Sequence, residues 1–270
     1  MSHSLTADTA AGERALWKQA ALPAEHGGWG LTLEPVLLGL LVAPSWPGAA
    51  LGVAALLAFL VRTPLKLALI DKRRNQWAAR SRLAARIAAV ESTLIAAGAA
   101  FALYAGGWRW LVAVAVALPL VAVEMWFDIR SRGRRLVPEL CGAAGISAAV
   151  AALALAAGKS AGLAVALWMV LAARAVGAIP FVRVQIMRLR RGTGSALSSD
   201  LAQLAAVVLA GAAAVVDRRL LAGAVGVLGL ATLQVVWVRR APSAPKVLGL
   251  RQMALGFALV AVTAAGAWIS

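Results

Sequence analysis

The residues able to do chemistry are few and gather near the ends of apolar runs. Glu124 and Asp128 stand four apart, which puts both carboxylates on one face of a helix. Such a pair suits Mg²⁺ shared with phosphate oxygens; the competing use is pairing with Arg130, Arg132 or the bases that follow the second apolar span, the cheaper way to neutralise acids in so basic a chain. Arg62 and Lys66 have the same spacing, and with Arg174 and Arg183 they would form a basic pocket for a phosphate, diphosphate or carboxylate. The alternative for these bases is snorkelling to anionic lipid headgroups. In Pro23-Ala-Glu25-His26-Gly27-Gly28-Trp29-Gly30, clustered glycines imply a tight turn or close backbone approach beside two proton carriers. Glu25, His26 and Glu139 are the candidates for proton transfer. Ser198, Ser199 and Asp200 read as a helix N-cap, and Gln234 and Cys141 as packing or interhelical contacts.

The elements that position these groups are set by composition. The chain has 270 residues, 62% hydrophobic and 14% charged, with a mean hydropathy of +0.83, against about 45–50% and 25% in soluble domains. One globular core cannot hide that surface, so lipid is the solvent. A net charge of +16 would suggest nucleic acid in a soluble protein, but here it reads as topology. A single cysteine and two histidines, His3 and His26, argue against disulfide frameworks and His/Cys metal clusters. Residues 1–22 form a polar segment without an apolar stretch after a basic one, so no cleavable signal peptide is expected there. Residues 23–270 form a single transmembrane domain.

Apolar runs place nine spans at about 31–45, 48–65, 86–105, 110–127, 139–157, 161–180, 198–216, 220–237 and 252–269. Of 27 basic residues, only Arg109, Lys159, Arg218 and Arg219 fall on one side of this arrangement. The rest fix the N-terminus inside and the C-terminus outside in a multi-pass membrane protein. Trp46, Trp108, Trp110 and Trp268 should mark the outer boundary, and Trp29, Trp77, Trp126 and Trp237 the inner one. Pro64 and Pro180 are expected to break their helices and line a cavity. A faint repeat surrounds them: Ile70, Lys72 and Arg74 follow Pro64 at the offsets at which Ile186, Arg188 and Arg190 follow Pro180.

The run Glu25-His26-Gly27-Gly28-Trp29, with Pro35 and Leu37-Leu38-Gly39 after it, resembles the opening of the YwiC-like family of bacterial membrane proteins. Arg62-Thr63-Pro64, the following basic and Asp71 positions, and Glu139-Leu140-x-Gly142 are similar to that family as well. The resemblance covers about the first 145 residues and implies functional positions, Asp71 among them, without a reaction. A more distant likeness is to the UbiA superfamily of intramembrane prenyltransferases, which have nine helices and acidic motifs after helices two and six, where the repeat falls here. That likeness implies an all-α UbiA-like bundle, with Mg²⁺ and a prenyl diphosphate bound by aspartates. This chain departs from it: Asp71 stands alone, and Arg183, Arg188 and Arg190 occupy the second place.

The function expected on these grounds is binding, or group transfer, of an amphiphile with an anionic head. Arg62, Lys66, Asp71, Arg174 and Arg183 would hold the head, while Glu124 and Asp128 would orient those bases or a metal. The alternatives are a small-anion transporter, and a non-catalytic assembly protein whose inner charges bind a partner.

Overall fold

The computed structural model describes residues 26–130 and 135–269, with side chains from Trp29 onward. All its regular elements are helices: α1 (His26–Val42), α2 (Trp46–Arg73), α3 (Ala79–Gly106), α4 (Trp110–Ile129), α5 (Leu136–Ser147), α6 (Ala149–Ala156), α7 (Ala161–Arg191), α8 (Ala196–Val216), α9 (Leu221–Trp237) and α10 (Pro245–Ile269). A 3-10 turn, Arg218–Leu220, joins α8 to α9. Eight of the resulting spans are long and apolar enough to cross a bilayer, α5 and α6 counting as one, and Trp29–Val42 adds a shorter apolar helix. The chain is an all-α polytopic membrane protein.

Burial is graded as lipid demands. The most apolar stretch of the α5–α6 span is 67% buried, and that of α7 61%, whereas those of α3 and α4 are only 11% and 17% buried. The centre is therefore α6 and α7, where Val150, Leu153, Leu167 and Val170 are fully enclosed. The outer helices show Tyr104, Leu118, Leu204 and Val208 to the surroundings. In water such a surface would be untenable; in hydrocarbon it costs nothing.

Helix ends follow local rules. Ser45 caps α2 by accepting from the Gly48 amide at 3.0 Å, ahead of Pro47 in the first turn. Ser160 caps α7 in the same way through Leu163. At α8 the cap is Ser195, which accepts from Leu197, and not the Ser198–Asp200 triplet. Ser199 is buried within the helix, and Asp200 pairs with Arg239 at 2.8 Å. The earlier serine wins because the Gly/Ser loop before it can take the extended backbone a cap needs.

The break between α5 and α6 has a traceable cause. The Ala148 amide turns to the Gly145 carbonyl at 3.2 Å, leaving the Ala144 carbonyl without its usual partner. Trp168 Nε1 of α7 donates to that carbonyl at 2.9 Å. Trp168 thereby locks the central helix onto its neighbour.

Pro64 and Pro180 do not break their helices. α2 continues to Arg73 and α7 to Arg191, so the charged stretches that follow the prolines are their helical extensions. A proline forfeits one hydrogen bond, whereas ending the helix would expose four carbonyls. In a packed bundle the first is cheaper.

The helices alternate in direction as the charge pattern requires. Arg62 meets Asp128, Arg183 meets Glu139, and Gln185 and Arg188 of α7 donate to the carbonyls of Trp237 and Val238, all at one end. Trp268 donates to the Leu41 carbonyl at the opposite end. Trp46, Trp108 and Trp268 are exposed, as a membrane-boundary belt should be. Trp110 is not; its indole is 4% exposed and packs inward. At the basic end Arg130 covers the Trp126 ring at 3.6 Å. Trp29 meets Phe59 edge-on at 5.2 Å.

At the opposite end, Asp217 takes the Arg219 guanidinium through both oxygens, at 2.9 and 2.7 Å, and also caps the 3-10 turn. The Arg219 side-chain hydrogen bonds hold the Asp217 carboxyl below the usual carboxylate range. A depressed value means that this contribution is complete above about pH 4 and is lost as pH falls through the lowered value. Asp217→Asn should therefore flatten the acid limb of stability below about pH 4 relative to the parent. Parallel curves for the two proteins would contradict this assignment.

Candidate functional site: paired charges at the basic end

The basic end collects charged groups from four helices. Arg62 of α2 donates to Asp128 Oδ2 of α4 through Nη2 at 2.6 Å and Nε at 3.1 Å. The same Nη2 lies 2.9 Å from Glu124 Oε1, one turn back on α4. Lys66 Nζ lies 3.3 Å from Asp128 Oδ1. The two helices run in the same direction, so two i,i+4 pairs face one another in step. Asp128 is 2% exposed and serves both bases.

Glu124 rests on α5 at Gly142, where a Cβ would collide with its carboxyl group. One turn before that glycine stands Glu139, whose Oε2 accepts from Arg183 Nη1 of α7 at 2.9 Å. A line of alternating charge thus runs from Lys66 through Asp128, Arg62 and Glu124 to the start of α5, and from Glu139 to Arg183. In the structure Glu124 and Asp128 pair with Arg62, which lies within the second span, and with Lys66 just after it. No group of three His, Cys, Asp or Glu side chains arranged to hold a metal occurs among the described residues.

The remaining candidates lie elsewhere. Asp71 is buried at the α2–α3 corner, accepting from Ser81 Oγ at 2.6 Å, with Arg80 at 3.5 Å. Asn75, at φ 56°, makes the turn between these helices, a conformation asparagine tolerates. Arg174 does not join Arg183. Nine residues apart on α7, the two are separated by about 13 Å of rise and half a turn of rotation. Arg174 reaches instead towards Glu34 Oε1 of α1, at 3.7 Å, and donates to the Gln252 carbonyl of α10 at 2.6 Å. Glu25 and the side chain of His26 lie outside the described residues, as do the polar segment 1–22 and Arg132.

Several participants carried no recognisable sequence signal. Gly142 and Gly256 look like any other small residues, yet each admits a carboxylate against a neighbouring helix. Gln203 of α8 donates to Gly177 O and to Gln234 Oε1, both at 2.9 Å, making Gln234 the interhelical contact its position suggested. Gln252 of α10 is buried beside Arg174. Polar amides inside apolar runs were the available hint.

Comparison with known proteins adds a family. The YwiC-like protein family matches residues 22–155, a stretch that holds Glu34, Arg62, Lys66, Asp71, Glu124, Asp128 and Glu139. No curated protein and no solved structure matches the chain.

Proposed function

From a membrane protein whose residues 22–155 are YwiC-like, we propose an activity at the basic end: binding of an amphiphile with a phosphate or diphosphate head, and group transfer on it. The observation that carries this reading is the set Arg62, Lys66 and Arg183, gathered from two helices and held by three carboxylates. Their side chains remain 27%, 36% and 32% exposed. Carboxylate partners keep guanidinium groups oriented, and a phosphate can replace a carboxylate on the same fork of donors. Around them Lys72, Arg73, Arg130, Arg188, Arg190 and Arg191 add unbalanced positive charge, which draws anionic heads to this end of the bundle. The apolar outer faces of α3 and α4 suit the lipid tail. Placement in a bacterial inner membrane with the basic end towards the cytoplasm belongs to the same reading.

Within it Arg62, Lys66 and Arg183 carry the head group, and Glu139, bonded to Arg183, is the group best placed to move a proton. His26 and Glu25 complete the proton-transfer set by sequence alone. Asp128 is committed to two bases, so Mg²⁺ would have to displace Arg62 and Lys66 from it; orientation of the bases is the better-supported role for Glu124 and Asp128. The UbiA-like arrangement is part of the proposal and draws on the repeat. Both of its halves fall on the extensions of α2 and α7 beyond their prolines.

The test is thermal unfolding of the detergent-purified protein against isoprenyl diphosphates, with and without Mg²⁺. A ligand that binds only the native state stabilises by roughly 2.7 kcal/mol at a hundredfold excess over Kd. The midpoint should rise with ligand concentration, and Arg183→Ala should abolish the rise. An equal rise in Arg183→Ala, or no rise with any diphosphate, would overturn the reading. A rise that requires Mg²⁺ would restore the metal role of Glu124 and Asp128.

A further inference from the structure

Residues spaced by four along α2 show where its neighbours part. Ala54 is buried against α3, its Cβ 3.7 Å from where a side chain on Gly98 would begin. Arg62, eight residues on, reaches α4 through Glu124 and Asp128. Each step of four residues turns about 40° around a helix, so Ala58 points midway between the two neighbours. It is exposed. The face of α2 between α3 and α4 is therefore left open.

α3 lies along α2, and α4 along α5 and α6, but α3 and α4 are not packed against each other. Residues 107–109 join them at the end away from the bases. Near that turn the floor is covered: Leu51 is buried in the main core, and a Cβ on Gly106 would strike Pro47 and the Ala156 carbonyl. Two turns further along α2, at Ala58, it is open. The result is a cleft closed at the turn, open sideways to lipid, and ending at Arg62 with Lys66 one turn beyond.

Three properties decide what fits. Between Leu51 and Arg62 the floor carries no hydrogen-bonding side chain. Its open strip is narrow, because Leu51, Ala54 and Val61 around Ala58 are all buried. Its end is basic, with Arg62 partly exposed. One hydrocarbon tail bearing a phosphate matches all three. A further helix, about 10–12 Å across with its side chains, needs a broad face. A tail gains little hydrophobic free energy on passing from bilayer to cleft, since both are apolar. The head group supplies the affinity, and the cleft sets the direction of approach.

We propose that a membrane-resident lipid phosphate reaches the basic end sideways, from within the bilayer. One hydrocarbon tail lies over Ala58 in the cleft between α3 and α4, and the phosphate or diphosphate rests on Arg62 and Lys66. This placement rests on the head-group reading of the basic end and adds to it the route of entry and the seat of the tail. The lipid never leaves the membrane, and a cleft open along its side accepts tails of different lengths.

Photolabelling of the full-length protein in phosphatidylcholine nanodiscs tests this, with a farnesyl diphosphate analogue carrying a diazirine midway along its tail. Mass spectrometry should place the label on α2 around Ala58 and on the facing parts of α3 and α4, and excess farnesyl diphosphate should abolish it. Ala58→Phe, which fills the cleft from an exposed position, should reduce that labelling several-fold. Its unfolding midpoint, and the response of that midpoint to inorganic diphosphate, should match the parent. Should Ala58→Phe fail to fold, Ala58→Leu takes its place with a smaller reduction. Val53→Phe, at a 57% exposed position on another face of α2, should change neither readout. Labelling confined to other helices, or unaltered by filling the cleft, would overturn the proposal while leaving the head-group reading intact. A changed oligomeric state in Ala58→Phe with labelling unaltered would give the cleft to a second copy of the chain, and overturn it as well. No midpoint response to any diphosphate would overturn the head-group reading, and this placement with it.

Discussion

Arg174→Leu is expected to destabilise the protein by about 3–5 kcal/mol, the cost typical of removing one member of a buried ion pair. Both partners are almost fully enclosed, with side chains 3% exposed each, so water cannot take over the role of the lost charge. Removing the guanidinium leaves the Glu34 carboxyl packed in the crevice at Gly256, obliged either to stay charged without compensation or to take up a proton. Glu34→Leu alone should be similarly costly. The double variant Glu34→Leu/Arg174→Leu should recover most of the loss, because an apolar pair of similar volume carries no desolvation penalty. Unfolding in mixed detergent micelles would measure the three variants as a cycle, with an expected coupling of at least about 2 kcal/mol. Simple additivity would show that the two residues do not act as a pair.

Gly142→Val should be the most damaging small substitution at the basic end. A side chain there would occupy the space of the Glu124 carboxyl, on a helix already pressed against α4. Either α5 moves away, at an overpacking cost of about 1–3 kcal/mol, or Glu124 leaves Arg62. The second outcome would also disturb Glu139, one turn away, and through it Arg183. Gly142→Val should therefore lower both the unfolding midpoint and the response to diphosphates. Gly229→Ala is the matched control: nothing lies within 4 Å of its added Cβ, and helix propensity alone predicts a neutral or slightly stabilising change. Equal effects at the two glycines would remove the special place given to Gly142.

The two substitutions disturb different layers. Lys66, Arg62 and Arg183 stand at the basic end of the bundle, their side chains about a third exposed. Arg174 and Glu34 stand deep among α1, α7 and α10. A four-base pocket therefore divides into a surface cluster and an internal pair. The helical repeat foreshadows the division, because residues nine apart fall on opposite faces. Spacing of four predicted partnership at Arg62–Lys66 and Glu124–Asp128 correctly, since those residues share a face.

The sequence by itself determined the solvent, the alternation of the helices and the eight that are long enough to cross a bilayer; the first of its nine spans is a shorter apolar helix, Trp29–Val42. These depend on the summed hydrophobicity of about twenty residues and on the sidedness of charge, both of which survive any detail of packing. It also limited the charged groups to a short set at membrane depth. Only the tertiary structure decided which acid meets which base, because pairing depends on the rotation of each helix and on which neighbours touch. It decided that α2 and α7 run through their prolines, since only the surrounding helices make continuation cheaper than a break. It gave Gly142 and Gly256 their part, because each leaves room for a carboxyl group from a neighbouring helix. It set the orphaned donors of Arg174 beside a cavity walled by amides from two other helices, a meeting to which no local pattern in the chain corresponds.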